Sequence, residues 1–365
     1  MMIQSALLTA LILNVALVNA QEMRFVEASE LNLTGKAFVD TPNPYHRVDT
    51  ERFPGFNEKE TNQLHTPSGM QVLFRTDSRR IEINADWGFV YEAPSTMAMS
   101  YRGFDLYICN AKGVWEYAGS TATRTIRQME KRPCNMLMMK DMDGTMHECM
   151  IYLPMYSELL SCQIGVEKEA VLEPLESPFR HKILFYGSSY TQGVGTSRPG
   201  LTYPMQWMRM SGLQVVSVAT SGRAMMQPYM IPVLQASDAD AFVFDTFSNP
   251  GAQKIRERMM PFIDSLVTAH PGVPMIFQRT IYRERRRFDL GLDASEADKA
   301  HVVDSIISTL KGQKKYKDVY FITPTAMEDH ETCIEGTHPD NRGYTLWARS
   351  IYSPIKKILR KYGIR

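Results

Sequence analysis

The chain has 365 residues, enough for two domains that each bury a core. Hydrophobic residues make up 44% and charged residues 22%, the balance of a soluble globular protein rather than a disordered or fibrous one. Lys and Arg total 41 against 40 for Asp and Glu, so no global field draws the chain to nucleic acid or an anionic membrane, and neither is expected as a partner.

The first element in chain order is apolar. Residues 1–20 carry no charged side chain and are followed at once by Gln21, Glu22 and Arg24. Val18-Asn19-Ala20 fits the small-residue pattern of a signal-peptidase site. The segment is read as a cleaved signal peptide, with an uncleaved anchor as the alternative. The mature protein is then expected outside the cytoplasm, periplasmic or secreted, with no membrane insertion after cleavage.

Residues 21–175 are read as a first domain, in which the apolar runs from about residue 65 to 167 are short and β-rich: Met70–Phe74, Arg80–Asn84, Asp105–Ile108, Cys149–Leu153 and Leu160–Ile164. Arg80–Asn84 alternates with the period of a half-buried strand, and Asp77-Ser78 and Asp143-Gly144 supply turns. This rhythm predicts an antiparallel sandwich, a jelly roll. The 5 cysteines are an odd number with no CxxC pair and no zinc-like spacing to His, so no metal is expected. The 24 methionines are read as soft core packing.

From residue 176 to 365 strands alternate with helices. Candidate strands are Lys182–Tyr186, Gln214–Ala219, Ala241–Phe247, Pro274–Arg279 and Asp318–Thr323. Lys254–His270, Ala294–Lys311 and Gly343–Tyr362 have helical character. The pattern predicts a five-stranded parallel sheet covered on both faces, a three-layer α/β domain of flavodoxin-like type. Pro174, Glu176 and Pro178 mark the join.

In such sheets ligands bind beyond the carboxyl ends of the strands. Gly187-Ser188-Ser189-Tyr190-Thr191-Gln192-Gly193 follows the first strand, and Thr220-Ser221-Gly222-Arg223 the second. Asp245–Pro250 closes the third, and Glu335-Gly336-Thr337-His338-Pro339 follows the fifth. Each piece alone reads as a turn or a surface residue. Together they bring a serine, a glycine amide, an asparagine amide and an acid–histidine pair to one edge.

In this order the blocks resemble the SGNH hydrolase superfamily, the GDSL-like esterases, in the branch whose first block reads GTSITQG and which carries an N-terminal jelly roll. Ser188 stands where many relatives have Asp, and Glu335 stands where the usual last block, DGxHP, has Asp. Phe74–Ser78, Gly103–Tyr107 and Tyr152-Leu153-Pro154 extend the likeness upstream, so it spans nearly the whole mature chain. The resemblance implies Ser189 as nucleophile, His338 as its base and Glu335 as the acid that orients the imidazole. It also implies an oxyanion hole from the amides of Ser189 and Gly222 and the side chain of Asn249. No cofactor is called for.

Export, the sandwich and the family branch point to a carbohydrate ester as substrate, most simply an O-acetyl group on a polysaccharide. Arg279, Arg283, Arg285, Arg286 and Arg287 around Glu284 are read as a solvated charge run, with uronate binding at the cleft as the alternative. Trp87, Tyr91 and Trp115 are read as sandwich core, with sugar stacking as the alternative. Two other functions compete: a glycan-binding protein that has lost catalysis, and a lipid or thioester hydrolase. The lack of an apolar lid segment weighs against the latter.

Overall fold

The computed structural model describes residues 22–130, 133–326 and 330–365, so the signal segment read at residues 1–20 lies outside the described residues. The first region is built from β1 (Met23–Glu27), β2 (Asn32–Thr34), α1 (Glu58–Leu64), β3 (Gln71–Thr76), β4 (Ile81–Val90), β5 (Gly103–Cys109), β6 (Trp115–Ala122), β7 (Cys134–Met139), β8 (His147–Tyr152), β9 (Ser157–Glu167) and β10 (Leu172–Pro174). One antiparallel sheet runs β1-β9-β4-β7 and a second β10-β3-β8-β5-β6, with β2 paired to β3. The alternation expected in β4 is present: Ile81, Ile83, Ala85 and Trp87 are fully buried. They meet Val72 and Phe74 of β3, Leu106 of β5 and Ile151 of β8, so the core lies between the two sheets. Among the described residues no two cysteines are joined by a disulfide.

The second region comprises β11 (Arg180–Gly187), α2 (Ser189–Gln192), α3 (Tyr203–Ser211), β12 (Leu213–Ser217), α4 (Ile231–Ala236), β13 (Ala241–Asp245), α5 (Ala252–Ala269), β14 (Met275–Gln278), α6 (Leu290–Leu310), β15 (Val319–Ile322) and α7 (Asn341–Arg360). Its sheet is wholly parallel, in the order β12-β11-β13-β14-β15. Side chains of β11 alternate between two cores. Ile183 and Phe185 face Trp207 of α3 and Trp347 of α7, while Leu184 and Tyr186 face Ile255 and Phe262 of α5. The strand order reverses between β11 and β13, which opens a crevice at their carboxyl ends.

Residues 35–66 fall in the first region by sequence but pack on the second. Phe38, Val48, Phe53 and Leu64 share a core with Val216, Val218 and Phe244. A capping box starts α1: Asn57 Oδ1 accepts from Glu60 N at 3.1 Å, and Glu60 Oε2 accepts from Asn57 N at 3.0 Å. Arg47, only 1% exposed, fixes this segment to the sheet. Its guanidinium donates to Thr66 O (2.9 Å), Ser217 O (3.2 Å) and Ala219 O (2.9 Å), and also to Gln63 O. A buried cation satisfied by carbonyls this way is costly to disturb, because each bond lost leaves part of the charge unsolvated.

A second brace ties the segment to the sandwich. The imidazoles of His46 and His65 stack at 3.8 Å with an interplanar angle of 8°, and His46 Nε2 lies 2.7 Å from Glu158 Oε1. Burial, reinforced by the charges of His46 and Arg47 against the opposing Glu158 and Asp49, pushes His65 down to about 4. An unfolded imidazole titrates near 6.5, so between these values the unfolded chain holds more protons at this site. Stability from His65 is therefore present above about pH 6.5 and is lost as pH falls toward about 4, with a limiting slope of about 1.4 kcal/mol per pH unit. Thermal melts between pH 7 and 4 should show the decline, and His65→Gln should flatten it. Parallel curves for the two proteins would exclude the brace as its source.

Candidate active site

β11 ends on Gly187, where a Cβ would stand 2.0 Å from Thr191 Oγ1 and 2.9 Å from Asp245 Cβ, so only glycine lets the chain turn here. Ser188 then caps α2, its Oγ accepting from Tyr190 N at 3.2 Å. Gly193 ends the turn at φ +99°. This tight strand–turn–helix points Ser189 out of the sheet while Ser188 faces inward. Ser188 Oγ donates to Asp245 at 2.6 Å, and the same carboxylate accepts from Ser188 N (3.1 Å), Thr191 Oγ1 (3.1 Å) and Ser248 Oγ (2.5 Å). Asp245 is buried, and that burial raises its carboxyl above the ordinary range against these donors.

His338 comes from the loop before α7. An isolated bridge, Cys333 to Pro339, and the bond from Ile334 N to His338 O (3.0 Å) close this loop into a compact turn. Its Nε2 lies 2.8 Å from Ser189 Oγ, and its Nδ1 bonds Glu335 Oε1. With Nδ1–H given to the carboxylate, Nε2 is left as the acceptor of the serine proton. Glu335 also accepts from Thr337 N and His338 N, both at 3.1 Å. Partial burial raises its carboxyl, but the bonds to His338 and these amides outweigh it and hold it below the ordinary value. The extra methylene of a glutamate is thus taken up by a turn that folds the side chain back on its own amides.

Gly222 lies in the loop after β12 and Asn249 in the loop after β13. Among the described residues the amides of Ser189 and Gly222 donate to no protein acceptor. Asn249 Oδ1 accepts from Ala224 N at 3.2 Å, which fixes the amide with its Nδ2 the other way. Ser189, Gly222, Asn249 and His338 line one cavity of about 440 Å³, with Tyr91 and Tyr156 from the sandwich on its far wall. All five residues expected from the sequence, Glu335 behind His338 included, converge there.

Other expectations divide. Only Arg283 of the arginine run lines the cavity. It donates to Tyr190 Oη (2.9 Å) and Ser248 O (2.6 Å) and pairs with Glu296 at 3.1 Å. Arg279, Arg285 and Arg286 pair instead with Asp304, Asp289 and Asp293 at or near α6, and Arg287 lies over Phe288. Trp87 is sandwich core and Trp115 stacks on Phe179, but Tyr91 is 45% exposed at the cavity.

Sequence reasoning missed how the Ser221–Gly222 loop is held. Gln63 of α1 accepts from Ser221 N and donates to Ser221 O at 3.1 Å. Gln192 of α2 accepts from Ser221 N (3.0 Å) and Ser221 Oγ (2.8 Å), and Tyr156 Oη meets that hydroxyl at 2.9 Å. The only sequence signal was two glutamines beside structured segments, too common to single out. His46, His65 and Glu158 bring donor atoms within 4.8 Å of one another. Their parallel rings keep the nitrogen lone pairs in separate planes, so one ring would have to turn before both met an ion.

Residues 180–356 match the profile of the GDSL-like lipase/acylhydrolase family, and residues 23–172 that of the N-terminus of SGNH-hydrolase-type esterases. A solved structure from Bacteroides ovatus ATCC 8483, classed as a GDSL-like lipase, is 31% identical, with TM-score 0.87 over 93% of this chain and 98% of its own. The salicylyl-acyltransferase SsfX3 of a tetracycline biosynthetic pathway is 18% identical, with TM-score 0.72 over 94% of this chain and 99% of its own. A family two carbohydrate esterase from Cellvibrio japonicus is 12% identical, with TM-score 0.61 over 93% and 98%. The last two share the fold. No curated protein matches the chain.

Proposed function

The chain belongs to the GDSL-like lipase/acylhydrolase family of SGNH-type esterases, and from that premise we propose that it hydrolyses carboxylic esters on a carbohydrate, most simply O-acetyl groups, through Ser189, His338 and Glu335. The observation that carries this reading is the 2.8 Å approach of Ser189 Oγ to His338 Nε2. Ser189 Oγ attacks the ester carbonyl as its proton passes to His338. The oxyanion is held by the amides of Ser189 and Gly222 and by Asn249 Nδ2. Collapse breaks the ester C–O bond, and His338 returns the proton to the departing alcohol. Water, deprotonated by His338, then attacks the acyl-enzyme and frees the acid and Ser189.

Polar side chains in the cavity wall support a sugar substrate. Ser95, Thr96, Ser248, Thr337 and Arg283 line the cavity together with Tyr91, Tyr156 and Tyr190, so sugar hydroxyls would meet hydrogen-bond partners and ring faces there. Reading residues 1–20 as an export signal fits an extracytoplasmic glycan. Turnover of p-nitrophenyl acetate against butyrate and octanoate esters tests the proposal: activity should be highest on acetate. Preference for octanoate would favour a lipid hydrolase, and no turnover with no fluorophosphonate labelling of Ser189 would favour a glycan-binding role.

Two further outcomes follow from the geometry. Glu335→Gln should lower kcat by roughly 10²–10⁴, less than His338→Ala, because nucleophile and base remain while the tautomer loses its anchor. Since Glu335 is held below the ordinary carboxylate range, it stays ionised wherever His338 is neutral enough to act as base, so the loss in Glu335→Gln should be the same across the active pH range. A pH–kcat profile of the two proteins checks both. Gln63→Ala frees one side of the Ser221 peptide, so kcat should fall about tenfold with KM nearly unchanged. A rise in KM alone would place Gln63 in substrate binding instead.

A further inference from the structure

A second cavity of about 710 Å³ adjoins the catalytic one and shares Tyr91, Tyr156, Ser221 and Gly222 with it. One wall is a single face of α1 and its continuation, where Glu58, Lys59, Asn62, Gln63 and Thr66 recur at helical spacing. Phe89 and Tyr91, at the end of β4, form the other wall, and Arg223 closes the groove beside Gly222. A chain lying with its ester carbonyl at Gly222 therefore continues into this groove.

We propose that the groove is a second subsite of the same cleft and takes an acidic sugar, a carboxylate-bearing unit next to the acylated one; this rests on the carbohydrate-esterase reading above. Charge carries the argument. Among the described residues, Lys59 and Arg223, which line the groove, form no ion pair, whereas Arg283, the cation lining the catalytic cavity, is paired with Glu296. The groove thus holds two unpaired cations against the single carboxylate of Glu58. A guanidinium suits a carboxylate because its planar fork donates two parallel bonds. Tyr91, 45% exposed between the two cavities, offers its ring to a sugar face, and Asn62 offers an amide to hydroxyls.

The test compares O-acetylated polygalacturonate, O-acetylated xylan and p-nitrophenyl acetate, using the full chain and the double variant Lys59→Gln, Arg223→Gln. The wild type should have the higher kcat/KM on the acidic polymer, and added salt should narrow that preference. The double variant should lower the ratio of acidic to neutral polymer activity about tenfold or more, through KM. A ratio unchanged in the variant, or a wild-type preference for the xylan, overturns the subsite. Failure of the esterase reading looks different, as absent turnover of p-nitrophenyl acetate. In that event calorimetry with unacetylated galacturonate and xylose oligomers decides: selective loss of acidic-oligomer binding in the variant supports the subsite, and equal binding overturns it.

Discussion

Ser189→Ala should lower kcat on p-nitrophenyl acetate by about 10⁶ and leave the melting temperature almost unchanged. Among the described residues the hydroxyl of Ser189 bonds only His338, so its removal leaves no fully buried group unpaired. Ser188→Ala should do the reverse. Ser188 caps α2 and gives two hydrogen bonds to buried Asp245, one of them from its side chain, so losing the hydroxyl should cost about 1–3 kcal/mol of stability while much activity remains. Active-site titration with a fluorophosphonate, run beside melting curves, separates the two serines. If Ser188→Ala were inactive and Ser189→Ala active, the nucleophile would be assigned one residue out.

This pair illustrates what the sequence discloses and what it withholds. The five strands of the parallel sheet were legible because β-rich apolar runs end in Gly, Ser and Asn, and strand ends are where such a fold keeps its chemistry. Ser189, Gly222 and Asn249 could be found because each sits within a few residues of the end of one of those runs, and His338 because an acid stands three residues before it in the stretch after the fifth. Asp245 was hidden as the last residue of an apolar strand, AFVFD, although a lone carboxylate closing such a strand beside the crevice was a usable signal. Arg47 and Gln63 were not legible at all. Their partners lie some 160 residues away, at Ser217, Ala219 and Ser221, and nothing local distinguishes a clamp from a surface side chain. The arginine run misled in part, since Arg283 turns inward only because Glu296 of α6 lies there to meet it. Residues 35–66, short of strand signals, proved to be the piece by which the first region supports the loop carrying Gly222.

Asn249 offers the sharpest separation of catalysis from structure, because the two ends of its amide have different partners. Oδ1 holds Ala224 N at 3.2 Å, a bond within the loops, while Nδ2 is the group proposed to meet the oxyanion. That oxygen carries full charge only in the tetrahedral intermediate, so the contribution belongs to the transition state rather than to substrate binding. Asn249→Ala should lower kcat by about 10²–10³ with KM little changed. Asn249→Asp is the discriminating variant. A carboxylate still accepts from Ala224 N, so the loops and the melting temperature should be kept, yet it removes the donor and sets a negative charge against a developing one. Its loss of kcat should therefore equal or exceed that of the alanine variant. Were Asn249 only a brace for the loop, the order would invert: the aspartate enzyme would work almost normally, and the alanine enzyme would be the less stable of the two while retaining its rate per titrated site.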